Sequence, residues 1–285
     1  MLTFEDKNIE EALACPICKA QMSVLREGSG ILRCRGQKPH SYDFASGGYV
    51  NLCAPGQSGG GDSKQAVRAR SDFLDLGLYA PIRDRLCEIL KGNFADPKGR
   101  VIVDAGCGEG YYTSAVAECG FSVSGFDISK FAADAAAKRA RRAELSNALF
   151  GVASVFTLPL ADASADAVVN IFAPCVENEY GRVLKDSGIL VVVHAGPDHL
   201  FGLKKAIYKQ VHQNETRADL PEGLEKIDSS RLKYNITVNT NQAIKSLFAM
   251  TPYYWKTSQE DVAKLDGIET LNTDIDIIFD IYKKS

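Results

Sequence analysis

The chain has 285 residues, 45% of them hydrophobic and 24% charged. That balance excludes wholesale disorder and leaves room for one large domain, or a medium domain with a small appendage. No stretch reaches the roughly 18–20 unbroken apolar residues of a membrane span, so no membrane partner is expected. The first eleven residues are acidic and lack an apolar run, so they do not read as a secretory signal, and a cytoplasmic location is expected. The net charge of −3 excludes a generally basic coat but hides an asymmetry. Residues 15–70 carry eight lysines and arginines against three acids, a local +5, while the last 29 residues carry seven acids against three lysines, a local −4. A positive face on an acidic protein suits a polyanionic partner held in one orientation.

Residues 1–54 hold Cys15, Cys18, Cys34 and His40 in the pattern C-x2-C-x15-C-x5-H, among many turn formers. In a reducing compartment such cysteines point to metal rather than to disulfides. Two ligands from one turn and two from a second close a tetrahedron around Zn²⁺, and four protein ligands leave no open position, so the ion would be structural. A segment this poor in apolar residues also needs a staple to fold. Cys53 is an alternative fourth ligand, 19 residues past Cys34. The glycine-rich residues 55–63 read as a flexible linker.

From residue 64 the texture changes. Ser63 caps a helix predicted over 64–76, and Pro81 suits the first turn of another, with Ile82, Leu86, Ile89 and Leu90 on one face. Residues 101–103 form a short apolar run, as in a strand buried on both sides. Further strands are predicted at 121–126, 148–152, 167–172 and 189–193, with helices at 112–119, 131–143 and 177–184 between them. One more helix follows His199, then strands at 232–238 and 275–282. Such alternation gives an α/β fold with a parallel sheet between helices, assigned to residues 64–285 as a second domain. Cys87, Cys107 and Cys119 read as packing residues within it.

Asp104-Ala105-Gly106-Cys107-Gly108-Glu109-Gly110 follows the first buried strand and opens a helix. Glycines there let the backbone turn sharply and approach a ligand with no Cβ in the way. Asp127 lies 21 residues beyond Gly106, at the end of the second strand, where a carboxylate can take ribose hydroxyls. A dinucleotide fingerprint would need glycine where Tyr111 stands, and no phosphate loop occurs. The form D-x-G-x-G-x-G resembles class I S-adenosylmethionine-dependent methyltransferases. That resemblance implies a Rossmann-like parallel sheet with an antiparallel last strand, S-adenosyl-L-methionine as cofactor, its methionine part against the loop, and Ser154 beside the adenine. The competing reading is a glycine turn that only packs strand against helix.

Further segments carry a closer likeness: Cys15-Pro16-Ile17-Cys18, His40-Ser41-Tyr42-Asp43-Phe44, Gly48-Tyr49-Val50-Asn51-Leu52, Gly108-Glu109-Gly110-Tyr111-Tyr112-Thr113, Ala173-Pro174-Cys175 and Met250-Thr251-Pro252. With them the chain resembles, over nearly its whole length, the 23S ribosomal RNA guanine-N1 methyltransferase family of the RlmA type. The resemblance implies methyl transfer to N1 of a guanine in a 23S rRNA hairpin, gripped between the zinc unit and the methyltransferase cleft of a homodimer. It also implies a cofactor pocket lined by Tyr79, Asp104, Gly106, Gly108, Glu109, Gly110, Tyr111, Asp127, Ser154 and His199. Phosphates are expected to meet Lys19, Arg33, Arg35, Lys38, Lys64, Arg68 and Arg70.

Guanine N1 carries a proton that must leave. Asp43, Glu109 and His199 are candidate bases, each better explained as structural or cofactor-binding, so the catalytic base is left unknown. Ala173-Pro174-Cys175 ends the fourth strand, where target bases are placed. Its Pro-Cys pair also resembles cytosine-C5 methyltransferases, which makes Cys175 a nucleophile in an alternative reading; a small wall residue is the simpler one. Tyr253-Tyr254-Trp255 offers a stacking surface for a base, with core packing the favoured reading. Two other functions compete. Small-molecule methylation has no need of a basic zinc appendage, and a non-catalytic zinc RNA-binding protein has no need of the intact glycine loop and acid.

Overall fold

The computed structural model describes residues 4–25, 30–54, 56, 60–214 and 223–284. The chain opens with α1 (Lys7–Ala12), capped by the Asp6 carboxylate, which accepts the Asn8 and Ile9 N–H groups. Strands β1 (Met22–Leu25), β2 (Ile31–Cys34) and β3 (Ser41–Asp43) form a small antiparallel sheet, followed by β4 (Val50–Asn51). Next come α2 (Lys64–Leu74), α3 (Ala80–Asn93), β5 (Val101–Ala105), α4 (Tyr111–Glu118), β6 (Ser122–Asp127), α5 (Lys130–Arg142), β7 (Ala148–Val152), β8 (Ala165–Ile171), α6 (Glu177–Val183) and β9 (Leu184–Ala195). The chain closes with α7 (Phe201–Ile207), β10 (Leu224–Val238), α8 (Asn241–Ala249), α9 (Gln259–Ala263) and β11 (Leu271–Lys284). No helix among the described residues is long and apolar enough to cross a membrane.

The main sheet has the order β10-β11-β9-β8-β5-β6-β7-β4. It is parallel from β9 through β4, while β11 runs antiparallel to both β9 and β10. This is the α/β architecture expected, with an antiparallel last strand. From β5 the chain steps outward to β6 and β7, then returns to the other side of β5 with β8 and β9. Adjacent strands whose connections leave in opposite directions open a crevice at their carboxyl ends.

Alternate residues of the sheet feed two cores. Ile102, Val191 and Val193 face the layer that holds α3, α4, α7 and α8. Val101, Val103, Leu190 and Val192 face the other way, against Ile9, Leu13, Met22 and Leu32 of the N-terminal region. No helix is found in the crossover 153–164. In its place the N-terminal region covers this face, with Leu13 bridged to Leu160. Burying Ile9, Leu13, Met22 and Leu32 completely stabilises the contact by about 1.5–3 kcal/mol per side chain.

The structure departs from the sequence reading in several elements. Val50 and Asn51, expected in the N-terminal unit, join the main sheet parallel to β7 at Val50↔Gly151. The strand expected at 232–238 runs from Leu224, since polar residues such as Ser229, Ser230 and Lys233 are acceptable on an edge strand whose one sheet partner among the described residues is β11. Helix α8 was not anticipated, although Thr240 caps it and Ala243, Ile244, Leu247 and Phe248 are buried along one side. Of the expected linker 55–63, residues 55 and 57–59 lie outside the described residues.

Candidate cofactor cleft and metal cluster

The glycine loop crosses the carboxyl end of β5 in left-handed conformations, with φ of +89° at Gly106, +54° at Gly108 and +75° at Gly110. The three glycines are needed for different reasons. A Cβ on Gly106 would lie 2.7 Å from the Ala173 Cβ, and one on Gly110 would lie 2.8 Å from the Ala136 Cβ; both would overlap the core. A Cβ on Gly108 would meet only the Arg70 guanidinium, at 3.7 Å. Gly108 is therefore the glycine whose open side faces the cleft.

Acids surround the loop. Asp104 is buried and accepts a 2.5 Å hydrogen bond from the Thr113 hydroxyl on Oδ2, while its buried Oδ1 has no partner. Burial pushes its carboxyl up to about 7 against the Thr113 bond, with Asp127 and Glu109 adding repulsion. Asp127 ends β6, accepting the Gly108 N–H at 3.1 Å and the Ser129 N–H at 2.8 Å. Burial raises it, and those two donors pull it back. Glu109 is also buried and pairs with Arg70, Nε to Oε2 3.1 Å. The pair is close in charge but not aligned as a hydrogen bond, since both atoms lack a bonded partner.

The remaining expected residues follow the strand order. Ser154 comes just after β7, next to Ala153, whose N–H bonds the Asp127 carbonyl at 3.0 Å; its hydroxyl accepts the Phe156 N–H at 3.2 Å. Tyr79 is buried at the start of α3, edge-on to Phe73 and 6.3 Å from the His199 ring. His199 stacks on Phe172 at 6.0 Å and 13°. Burial drops the His199 imidazole to about 4, and its Nδ1 accepts the Asp276 N–H at 3.4 Å. With Nδ1 accepting, a neutral ring would carry its hydrogen on Nε2 and act there as a donor rather than a base. The side chain of Tyr111 turns away from the loop to lie between Arg83 and Arg139, 5.7 Å from each.

Of the other candidates, Asp43 is exposed on β3. Trp255 is 77% exposed, which corrects the core-packing reading for that residue. Only Tyr253 of its cluster is mostly packed, against Tyr208. Cys175 is half-buried. Arg70, expected to meet phosphates, is turned inward by Asp62 and Glu109. The acidic tail is largely neutralised: Asp276 is bound by Arg231 through two bonds of 2.6 and 2.7 Å, and Asp280 by Lys226 and Ser229. Two features escaped the sequence reading, the inward turn of Arg70 and the aromatic Phe172. Phe172 is 48% exposed with a φ of +52° and immediately precedes the Ala173-Pro174-Cys175 motif.

In the N-terminal unit the ligand atoms of Cys15, Cys18, Cys34 and His40 all lie within 4.8 Å of one another. Three of the separations are 3.6 Å: Cys15 Sγ to His40 Nδ1, Cys34 Sγ to His40 Nδ1, and Cys18 Sγ to Cys34 Sγ. A tetrahedral ion with bonds of about 2.3 Å to sulfur and 2.0–2.1 Å to nitrogen sets its ligands roughly 3.5–3.8 Å apart. The donor set therefore fits zinc, and Cys53 is not among the grouped residues. Burial would raise the Cys34 thiol, but the His40 and Gly36 N–H groups bring it down to about 6, favouring the thiolate that binds metal. Tyr42 sits outside the cluster, its hydroxyl 3.3 Å from Cys15 Sγ, in the place of a supporting partner.

Residues 96–265 match the model of a family described as a methyltransferase domain. A 23S rRNA (guanine(748)-N(1))-methyltransferase of Streptomyces fradiae is 32% identical over 280 residues, covering 94% of this chain and 96% of the relative. The YxjB protein of Bacillus subtilis (strain 168), named as a candidate 23S rRNA (guanine-N(1)-)-methyltransferase, is 28% identical over 92% of this chain and 94% of its own. Among solved structures, the YcgJ protein of Bacillus subtilis superposes with a TM-score of 0.47 at 18% identity, over 69% of this chain and 96% of that one.

Proposed function

The chain belongs to the 23S rRNA (guanine-N1)-methyltransferase family, and from that premise we propose that it methylates N1 of a guanine in a 23S rRNA hairpin. The reading takes S-adenosylmethionine as the donor, which supplies a methyl group already made electrophilic by its sulfonium. The observation that carries it is Phe172. Its exposed ring stands at the end of β8, and the next residue, Ala173, abuts the Gly106 turn. A flat apolar surface next to a cofactor loop suits a nucleobase drawn out of its stack.

The chain's own residues then divide the work. Asp127 takes the ribose hydroxyls, exchanging the Gly108 N–H for them. Asp104, with its unpartnered Oδ1, suits an ammonium group. Tyr79 and His199 line the cofactor pocket, with Phe172 on the side where the base enters. His199 serves there as a hydrogen-bond donor through Nε2 rather than as a base. As N1 takes the methyl group and the donor's S–CH3 bond breaks, the N1 proton leaves to solvent water.

Zinc is held by Cys15, Cys18, Cys34 and His40 and orders the N-terminal unit. Exposed Lys19, Arg33, Arg35 and Lys38 of that unit meet phosphates of the hairpin. The reading places the enzyme in the cytoplasm, where ribosomes are made, as a homodimer; light scattering after size-exclusion chromatography tests the dimer.

The deciding experiment is incubation with labelled S-adenosylmethionine and unmodified 23S rRNA fragments, followed by mass-spectrometric mapping. One 1-methylguanosine that blocks reverse transcription is expected. Finding 5-methylcytidine instead would replace the reading with nucleophilic attack by Cys175.

A further inference from the structure

We propose that Arg70 binds the carboxylate at the amino-acid end of the cofactor, with Glu109 as its fixed support and Asp62 as the partner that gives way. The inference rests on the reading of the cleft as an S-adenosylmethionine site and goes on to divide the charges of that site.

A guanidinium offers a fork of donors and can serve two carboxylates at once. Arg70 already lies between two, as an ion pair with each. Its Nε faces Glu109 Oε2 at 3.1 Å, and its Nη2 pairs with Asp62. The two partners differ in kind. The Glu109 side chain is 3% exposed and belongs to the rigid loop, whereas that of Asp62 is 41% exposed. Arg70 itself keeps 28% side-chain exposure, so the Asp62 edge of the fork is open to exchange.

The position of the guanidinium matters as much as its pairing. It lies 3.7 Å from where a Gly108 Cβ would be, on the side of the loop that glycine leaves clear. Asp104, Glu109 and Asp127 make this region strongly acidic. The other cation near Glu109, Arg139, is committed elsewhere, with Nε on the Glu109 carbonyl and Nη1 on Asp75. A ligand ending in an ammonium and a carboxylate needs acceptors for one and a donor for the other. The buried, unpartnered Asp104 Oδ1 supplies the first, and Arg70 supplies the second. Asp62 is the stand-in carboxylate: the ligand replaces its pairing with one of the same chemistry, and Glu109 keeps the fork aimed throughout.

The test compares calorimetric titrations of S-adenosylhomocysteine and its decarboxylated analogue, which differ only in the group at issue, on the full-length zinc-loaded protein. Wild type is expected to prefer the carboxylate-bearing ligand. Arg70→Met should weaken that ligand roughly 10- to 100-fold while changing the analogue about twofold or less, erasing the preference. Asp62→Asn, which removes the competitor and leaves the loop intact, should tighten S-adenosylhomocysteine severalfold and leave the analogue unchanged. It decides the matter alone if Arg70→Met fails to fold. Equal loss of both ligands in Arg70→Met, no loss of either, or no gain in Asp62→Asn would overturn the assignment while leaving the cofactor reading intact. Wild type that binds neither ligand would sink the cofactor reading itself, and this assignment with it.

Discussion

The two halves of this protein are held together by different means. The cofactor half is a parallel sheet whose strands are buried on both faces, so that β5, β7 and β8 contain no exposed residue at all. The N-terminal unit has strands of three or four residues, gathers Cys15, Cys18, Cys34 and His40 into one cluster, and shares a neighbour's core. Ile9, Leu13, Met22 and Leu32 contribute to the same hydrophobic cluster as Val101, Leu149 and Leu190. The comparison teaches that a segment too small to bury a core of its own can still be rigid if it lends its apolar side chains to a larger one. It also rules out one simple experiment. Deleting residues 1–54 would uncover a face of the main sheet, and loss of activity in that truncation would say nothing about RNA.

Point substitutions separate the halves more cleanly. The largest effect is expected from Cys18→Ser, which removes a ligand without touching the shared core. Zinc should fall from one per chain toward none by elemental analysis, amide exchange over 15–42 should accelerate, and RNA methylation should be lost. Affinity for S-adenosylhomocysteine should change little, because the loop and Asp127 lie in the other half. Gly110→Ala should act oppositely. A Cβ 2.8 Å from the Ala136 Cβ at φ +75° combines overpacking of about 1–3 kcal/mol with a left-handed penalty of about 1–2 kcal/mol. Its melting temperature should drop by several degrees, while the Cys-His cluster keeps its zinc.

Asp127→Ala should weaken cofactor binding by about 1.5–3 kcal/mol, the range of a charged hydrogen bond, with metal content unchanged. A smaller effect concerns pH. Burial raises the Asp104 carboxyl to about 7, well above the usual carboxylate range. The folded state therefore keeps a proton that the unfolded chain gives up. Stability from this group is present at low pH, declines as pH rises from about 4 to about 7, and is flat above that. Urea unfolding of Asp104→Asn across that window should lack this slope. The smallest effect is expected for Cys175→Ala, which should retain RNA methylation within a few-fold of wild type; a complete loss in a folded, cofactor-binding variant would favour the pyrimidine reaction.

Much of the cofactor half is legible in the sequence because burial on both faces leaves unmistakable apolar runs, and because positive φ at Gly106, Gly108 and Gly110 is paid for with glycine. The Cys-His cluster is legible for a similar reason, since its ligand types have few other uses at that spacing. What escaped depends on partners far along the chain. Val50 and Asn51 are too short a run to announce a strand, and become one only because β7 presents an edge to them. Residues 224–231 alternate without a strong apolar face, because β10 is held by pairing with β11 and by Arg231 reaching Asp276. Arg70 looks like any surface arginine of an amphipathic helix. Its inward role depends on Asp62, eight residues earlier, and Glu109, 39 residues later, meeting at one point. Phe172 was overlooked because nothing in an apolar strand announces that its last ring will emerge into the cleft.

The seat of β4 beside β7 also has a consequence for how the molecule is made. Val50 pairs with Gly151, about a hundred residues later in the chain. At roughly 5–20 residues per second of synthesis, the first four ligands leave the ribosome some 5–20 seconds before the strand that will receive β4 exists. In that interval the Cys-His segment lacks Leu149, Leu158 and Leu160 of its shared core, so under the zinc reading proposed above metal capture would be its main local ordering event. On that reading, zinc supply during translation, rather than in the finished enzyme, is the point at which the N-terminal unit is most exposed to failure.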